Sequence, residues 1–467
     1  MTLETVIPSL RSTLYQHVDP AAWPLTTAPA PGGDLAVGGV GLAELAARFG
    51  TPATVLDLDD VAARLRGYRT ALPDADVAYA GKALLCAGLV SLLVEAGVRL
   101  DVCSGGELAL ALRAGMPAER IVVHGNAPTE AELDAAVRAG VGRVVVDSLD
   151  VADRLAAVAS RRRTVVDVLL RVAPGVDAGG HPAIRTGGDD QKFGVPLTGG
   201  RAAAVAGAIV GRRALRLVGL HCHLGSQIAD TTMWERAVDP LLDLTAELPG
   251  GLTELNLGGG HAVTGGTPFD LAGFARRVTG AIARGCTARG LAPLRLGVEP
   301  GRAIVASAGV TLYRVQATKC AGSGRWFVAV DGGMGDNPRV ALYGAAYDAH
   351  LVGRTTCAAW RPATVVGRYC EAGDVLARDV ALPEDVTVGD VVAVPGTGAY
   401  HHAMASSYNM VGRPPLVGVR DGVARVLVRR ETTADLLARD CCLPHSAPDE
   451  GRWDDDAWCG GVVLGRD

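Results

Sequence analysis

The sequence predicts an α/β chain, a TIM-type (β/α)8 barrel followed by a C-terminal antiparallel β domain. Three observations predict it. From residue 52 onward, short apolar, β-branched runs alternate with alanine- and leucine-rich stretches of helical spacing. Polar residues gather at the C-terminal ends of those runs. After residue 308 the pattern changes to closely spaced strands joined by turns.

The barrel strands are expected, in order, at VAYA (77–80), RLDV (99–102), IVVH (121–124), RVVVD (143–147), VDVLLRV (166–172), LRLVGLHCH (215–223), ELNLGG (254–259) and RLGVEPG (295–301). Their nearly continuous apolar character fits strands buried on both faces of a parallel sheet. Segments such as GELALALRAGM and TEAELDAAVRAG supply the helices between them. Eight such units over about 250 residues match the size of a barrel; an open doubly wound sheet is the alternative. Lys82, Ser104, His124, Asp147, Arg171, His223, Gly258–Gly260 and Glu299 fall at or just beyond the strand ends, the face on which barrel active sites lie.

In the second region, VTLYRVQAT, WFVAVDGG, ATVVGRYC, DVVAVPGTGAY, PLVGVRDG and ARVLVRRE read as antiparallel strands with DG and GD turns. ETTADLLARD reads as a closing helix. The expected organisation is an N-terminal segment over 1–51 packing on the β domain, the barrel over 52–307, the β domain over 308–443 and a tail over 444–467.

The totals narrow the function. Of 467 residues, 49% are hydrophobic and 20% charged, the composition of a globular protein. A net charge of −5 without a basic block argues against nucleic acid or an anionic membrane as partner. The N-terminus MTLETVIPSLRSTLYQH lacks the layout of a signal peptide. The stretch ALLCAGLVSLLVEAG is too short for a membrane span and is broken by Ser91 and Glu95. Ten cysteines, single except for Cys441-Cys442 and without a CxxC pair, point to reduced thiols in a cytoplasmic protein.

Lys82 is the lone charge in VAYAGKALL. Its plain reading is a lysine whose head snorkels into water; the chemical one is an amine whose pKa burial lowers toward a nucleophile. In LGGGH (257–261), backbone N–H groups could cradle a phosphate, or simply form a tight turn. In HCHLGSQ (221–227), histidines two apart share a face, but no third ligand has clear spacing and no metal is expected. His223 could instead lie flat on an aromatic ligand, with Ser226 donating to an anion. In VEPGR, Glu299 either pairs with Arg302 or keeps a heteroaromatic nitrogen protonated. A nucleophilic lysine, a stacking histidine, phosphate-binding glycines and that carboxylate are the parts that pyridoxal phosphate requires.

From about residue 36 to 440 the chain resembles the barrel-type, pyridoxal-phosphate-dependent amino-acid decarboxylases, and within them the diaminopimelate decarboxylases. The motifs that carry the resemblance are VAYAGKA, LDVCSGGELALALRAG, DDQKFGV, GLHCHLGSQI, LGGG, VEPGRAIV, DGGMGDNPRVALYGA, CEAGD and GAYHHAMASSYN. It implies that Lys82 is the Schiff-base lysine, that His223 stacks on the pyridine ring and that Glu299 faces its nitrogen. Ser226, Gly258, Gly259, Gly260, Gly301 and Arg302 would hold the phosphate. Tyr400 would touch cofactor or substrate, and Arg302, Arg339 and Tyr343 match substrate-binding positions. Cys370 and Glu371 match a pair supplied by the other subunit of a homodimer, with Cys370 as proton donor after CO2 leaves.

The implied reaction is decarboxylation of meso-diaminopimelate to L-lysine; the alternative is the same chemistry on a modified or carrier-bound amino acid in a secondary pathway. The departures lie toward the substrate's far end. AGGHPAIRTG, with His181, replaces a histidine-rich stretch. CEAGD carries Ala372 where the family has serine, and HGNAPT replaces HGNNK. His261 follows the glycine run, and Pro338 precedes the substrate arginine.

Overall fold

A computed structural model describes residues 18–176, 187–188, 190–263 and 269–441. Almost all of the AGGHPAIRTG stretch, His181 included, and the expected tail over 444–467 lie outside the described residues.

The chain opens with three short strands, β1 (Ala28–Ala30), β2 (Asp34–Val37) and β3 (Val40–Gly41), and then β4 (Ala53–Asp57). The barrel follows: β5 (Asp76–Ala80), β6 (Arg99–Val102), β7 (Ile121–Val123), β8 (Arg143–Val146), β9 (Val166–Ala173), the two-residue β10 (Val195–Pro196), β11 (Leu215–His221), β12 (Glu254–Asn256) and β13 (Arg295–Val298). Among the described residues, β5, β6, β7, β8, β9, β11, β12 and β13 pair in parallel in that order, and β13 returns to β5 to close the ring. Each expected barrel run overlaps one of these strands.

The helices begin where the sequence supplies caps. The Ser104 and Ser148 hydroxyls accept from backbone N–H groups three residues on. Thr129 and Glu132 form a capping box ahead of helix Glu130–Ala139. Ser104, one of the polar residues at the strand ends, is thus a helix cap.

The second sheet contains β14 (Gly309–Cys320), β15 (Trp326–Val330), β16 (His350–Val352), β17 (Trp360–Val366), β18 (Val375–Pro383), β19 (Val391–Pro395), β20 (Leu416–Arg420) and β21 (Val423–Val428). It is mostly antiparallel, with parallel pairings at β15–β17 and β20–β4. Strand β4 corrects the expected boundary at residue 52. It lies between β14 and β20, so residues 53–57 belong to the second sheet and the barrel's first helix starts at Leu58. All five β4 residues are buried, a pattern that central strands of either sheet would show. Trp23, Val37, Val40, Leu42 and Leu45 share a core with Val55, Val310, Leu312, Val417 and Val419, which seats the N-terminal segment on this sheet.

Candidate active site

Side-chain alternation builds the site. Val122, Val145, Leu169 and Val218 form an apolar cluster of their own, apart from the large core shared by strands and helices. Two residues further along β7, β8 and β9 come His124, Asp147 and Arg171. Alternate residues share a face, so an apolar plug is capped by polar groups at the C-terminal mouth. A cavity of about 390 Å³ opens there, lined by Lys82, His223, Ser226, Gly260, Glu299, Gly301, Arg302, Arg339, Tyr343 and Tyr400, with His124, His221, Asp101 and Arg171 also on its wall.

Glu299 is held from three sides. Its Oε1 accepts from Asn256 Nδ2 at 2.9 Å and from His124 Nε2 at 3.0 Å, and its Oε2 accepts from His221 Nε2 at 3.0 Å. Asn256 Oδ1 accepts the Gly258 N–H at 2.8 Å, which fixes the amide with its nitrogen toward Glu299. An ionised carboxylate only accepts, so both imidazoles carry hydrogen on Nε2. Burial alone would raise the Glu299 pKa, but His124 and His221 hold it well below the usual carboxylate range. Glu299 makes these bonds instead of the ion pair with Arg302 that was the structural alternative. Burial pulls His221 down to about 4, so it is neutral near pH 7. The ligand atoms of His124, His221 and Glu299 lie within 4.8 Å of one another; their mutual hydrogen bonds already occupy both N–H groups that face the carboxylate.

The two histidines of HCH part company. His221 serves Glu299, whereas His223 Nδ1 accepts the Gly259 N–H at 3.2 Å and burial holds its ring neutral. The glycine run is required by close approach. A Cβ on Gly259 would lie 2.1 Å from the Glu299 carbonyl oxygen, and one on Gly260, at φ +97°, would lie 2.3 Å from the Gly225 carbonyl oxygen.

Arg302 Nη2 donates to Ser226 Oγ at 3.3 Å, and its guanidinium sits 4.6 Å from the centroid of the Tyr400 ring. Arg339 lies over Tyr343 at 4.9 Å and near Tyr400 at 5.5 Å. The Nε atoms of both arginines are buried without a hydrogen-bond partner. Two cations without a carboxylate partner among the described residues, each with an orphaned donor, suit anionic ligand groups.

Lys82 stands in the turn Gly81–Ala83 just after β5. Its head is accessible because it projects into the open cavity, although barrel walls surround it. The direction of its pKa corrects the sequence expectation: burial lowers it, but Tyr400, Asp101, Cys103 and Glu299 carry it above the ordinary value.

A family described as "Pyridoxal-dependent decarboxylase, pyridoxal binding domain" matches residues 58–306. A diaminopimelate decarboxylase of Actinosynnema pretiosum subsp. auranticum is 54% identical over 443 residues, covering 94% of this chain and 100% of that protein. The chain belongs to the diaminopimelate decarboxylase family. The diaminopimelate decarboxylase of Mycobacterium tuberculosis (strain ATCC 25618 / H37Rv) is 43% identical, with 90% of this chain and 98% of that one covered. The crystal structure of diaminopimelate decarboxylase from M. jannaschii in complex with L-lysine superposes with a TM-score of 0.82 at 30% identity, over 90% of this chain and 99% of that chain.

As a member of the diaminopimelate decarboxylase family the protein uses pyridoxal 5'-phosphate, and its cavity fits that group. It offers an amine in open space, an ionised carboxylate, a neutral imidazole and a cationic corner whose glycines leave room for no Cβ.

Cys370 and Glu371 do not line the cavity of their own chain; both are exposed. Their loop is nonetheless built. Cys370 N–H donates to Asn409 Oδ1 at 3.1 Å, Tyr408 O–H donates to Glu371 Oε2 at 3.2 Å, and the Tyr369 and Tyr408 rings stack at 5.7 Å. Asp374 accepts from the N–H groups of Tyr369 and Met334, each at 2.7 Å, which ties this loop to the one that leads to Arg339.

Sequence reasoning missed Asp101 and Asn256, and assigned no role to His124 or His221 in holding Glu299. A carboxylate inside RLDV and an amide inside ELNLGGG were the signals available, since a polar side chain in a doubly buried strand needs a partner.

Proposed function

We propose that the protein decarboxylates meso-diaminopimelate to L-lysine, with pyridoxal 5'-phosphate carried on Lys82 and a second copy of the chain completing each site. The observation that carries this reading is the convergence on one cavity of Lys82, the ionised Glu299, and two guanidiniums without carboxylate partners among the described residues.

The bound cofactor supplies an electron sink for the pair left on the substrate's α-carbon when CO2 departs. Glu299, fixed by three donors, accepts a hydrogen bond from the ring nitrogen and keeps its proton there. His223, neutral and backed by Gly259, covers the ring without adding charge. Ser226, Arg302 and the amides of Gly260 and Gly301 would hold the phosphate, whereas the Gly258 and Gly259 N–H groups expected there are already given to Asn256 and His223. Arg339 and Tyr343 bind the substrate, with the guanidinium taking a carboxylate. Lys82 would hold the cofactor through its amine and yield that place to the substrate amine.

Cys370 of a second copy donates the proton to the α-carbon, and Glu371 of that copy faces the substrate's distal end. The hydrogen-bonded 369–374 loop, exposed at residues 370–373, supports this reading. So do the exposed apolar side chains of Tyr408, which stacks on Tyr369, and of Met410, 39% and 58% exposed. Among the described residues no helix is long and apolar enough to cross a membrane, and the described cysteines are free thiols. Both observations agree with work in the cytoplasm.

The test is to incubate the loaded protein with meso-diaminopimelate and follow lysine by mass spectrometry. Lysine at roughly 1 s⁻¹ or faster, an ordinary turnover, supports the proposal. A normal cofactor absorbance without lysine moves the substrate to another amino acid, and a loaded lysine other than Lys82 overturns the assignment.

A further inference from the structure

On the cavity wall one imidazole nitrogen faces two carboxylates. His124 Nε2 donates to Glu299 Oε1 at 3.0 Å and lies 3.7 Å from Asp101 Oδ1. His221 meets it edge-on, with ring centroids 4.8 Å apart. Asp101 comes from β6, Glu299 from beyond β13, Asp147 from beyond β8, Arg171 from β9 and His221 from β11. Lys82, from beyond β5, stands behind Asp101 in the same field. His221 makes the same kind of bond to Glu299 while neutral. His124 differs in that the same Nε2 also faces the Asp101 carboxylate, at 3.7 Å.

We propose that His124 is a positioning residue for the decarboxylation: as an imidazolium shared by Asp101 and Glu299, it fixes the orientation of Glu299 and cancels one of the two negative charges that face Lys82. The proposal rests on the reading that Lys82 carries the cofactor and Glu299 faces its ring nitrogen.

The electrostatics agree in direction. Burial pulls the His124 pKa down, but Asp101 and Glu299 carry it above its ordinary value. Asp101 is pushed up to about 6, burial being the main cause and His124 the main opposing influence. With the imidazolium in place, the Asp101–His124–Glu299 row carries one net negative charge. Without it the row carries two, and any nearby cationic nitrogen holds its proton to higher pH.

The experiment compares loaded wild type with His124→Gln, His124→Phe and Glu299→Gln. Two quantities are read: kcat and KM on meso-diaminopimelate, and the pH midpoint of the cofactor's visible absorbance without substrate. His124→Phe removes donor and charge, and should lower kcat roughly 10- to 100-fold, the range for partners that orient a functional group, with KM little changed. It should also raise the absorbance midpoint by roughly one unit. In His124→Gln the side-chain amide can still donate to Glu299, so kcat should recover in part while the midpoint stays raised.

A folded His124→Phe protein with wild-type kcat and midpoint overturns the proposal. So does an unshifted midpoint in His124→Gln, which serves if the phenylalanine variant does not fold. If Glu299→Gln also leaves both quantities unchanged, the reading of Glu299 fails with it. If Glu299→Gln is sensitive while both His124 variants are not, only the role of His124 falls.

Discussion

Gly259→Ala is a one-methyl test of how the cofactor-facing groups are held. The added Cβ would sit 2.1 Å from the Glu299 carbonyl oxygen and 3.0 Å from its carbonyl carbon. The nearer contact falls roughly 1 Å or more short of a normal separation, and backbone lies on both sides, so the peptide must move. Overpacking of this kind costs about 1–3 kcal/mol. The same movement draws the Gly259 N–H away from His223 Nδ1, now 3.2 Å distant, which adds about 0.5–1.5 kcal/mol. Together these predict a loss of roughly 1.5–4.5 kcal/mol in the unloaded protein. If about 1 kcal/mol of it falls on the site, the cofactor dissociation constant rises about fivefold. Urea unfolding of unloaded protein and a fluorescence titration with pyridoxal 5'-phosphate measure the two effects. Gly322→Ala, where an added Cβ meets nothing within 4 Å, serves as control. An unchanged unfolding midpoint and dissociation constant in Gly259→Ala would refute the reasoning.

Arg339→Met keeps the length of the side chain and removes the charge beside Tyr343. It should lower kcat/KM by roughly 10- to 150-fold, the worth of a charged hydrogen bond, mostly through KM, while the cofactor absorbance of the substrate-free protein is unchanged. Asp374→Asn replaces a carboxylate that accepts from the Tyr369 and Met334 N–H groups. It should cost about 1–3 kcal/mol and lower kcat through the loop that carries Cys370, which unfolding and steady-state kinetics read separately. Asp336 is pushed up to about 7 by burial, against the lowering effect of its Tyr313 hydrogen bond. A carboxyl whose folded pKa exceeds its unfolded one contributes stability in acid that is lost as pH rises through the folded value. Melting temperatures of Asp336→Asn should therefore fall less steeply than wild type from acid to just above neutral pH; parallel curves would remove Asp336 from the pH dependence.

The barrel was legible because its eight strands are largely buried on both faces and are written as nearly continuous apolar runs, with polar residues gathered at or just beyond their C-terminal ends. Strand β4 was misplaced for the same reason. ATVLD carries no mark of which sheet it joins, and the decision lies in its pairing with Gly309–Leu312 and with Leu416–Val419. Strand β18 escaped notice because VLARDVALP contains a charged pair at Arg378-Asp379, and Asp379 takes φ 54° at an irregularity in the pairing with β17. In the site, the residues with a local signature (the lysine turn, the glycine run, VEPGR) could be found one motif at a time. Asp101, Asn256 and the partners of His124 could not. Their meaning arises from contacts such as the 175 positions between His124 and Glu299, which closure of the barrel alone creates.

That distinction explains why the polar layer is built as it is. Two carboxylates and two imidazoles buried over an apolar plug are a poor choice for stability alone, since replacing a buried ionic cluster with well-packed apolar groups is often neutral or stabilising. The arrangement is also intolerant of partial loss, because a carboxylate left without its donors bears the full cost of desolvation. What the layer does provide is a carboxylate that stays ionised in a buried setting and cannot rotate, because a separate donor holds each of its oxygens. A surface glutamate would be ionised without being fixed, and a buried one without donors would be fixed but protonated. Glu299 has both properties through His124, His221 and Asn256, and the role proposed for it, accepting a hydrogen bond from a protonated ring nitrogen, needs both. The family motif marks the glutamate, but the three residues that give it this chemistry come from other strands.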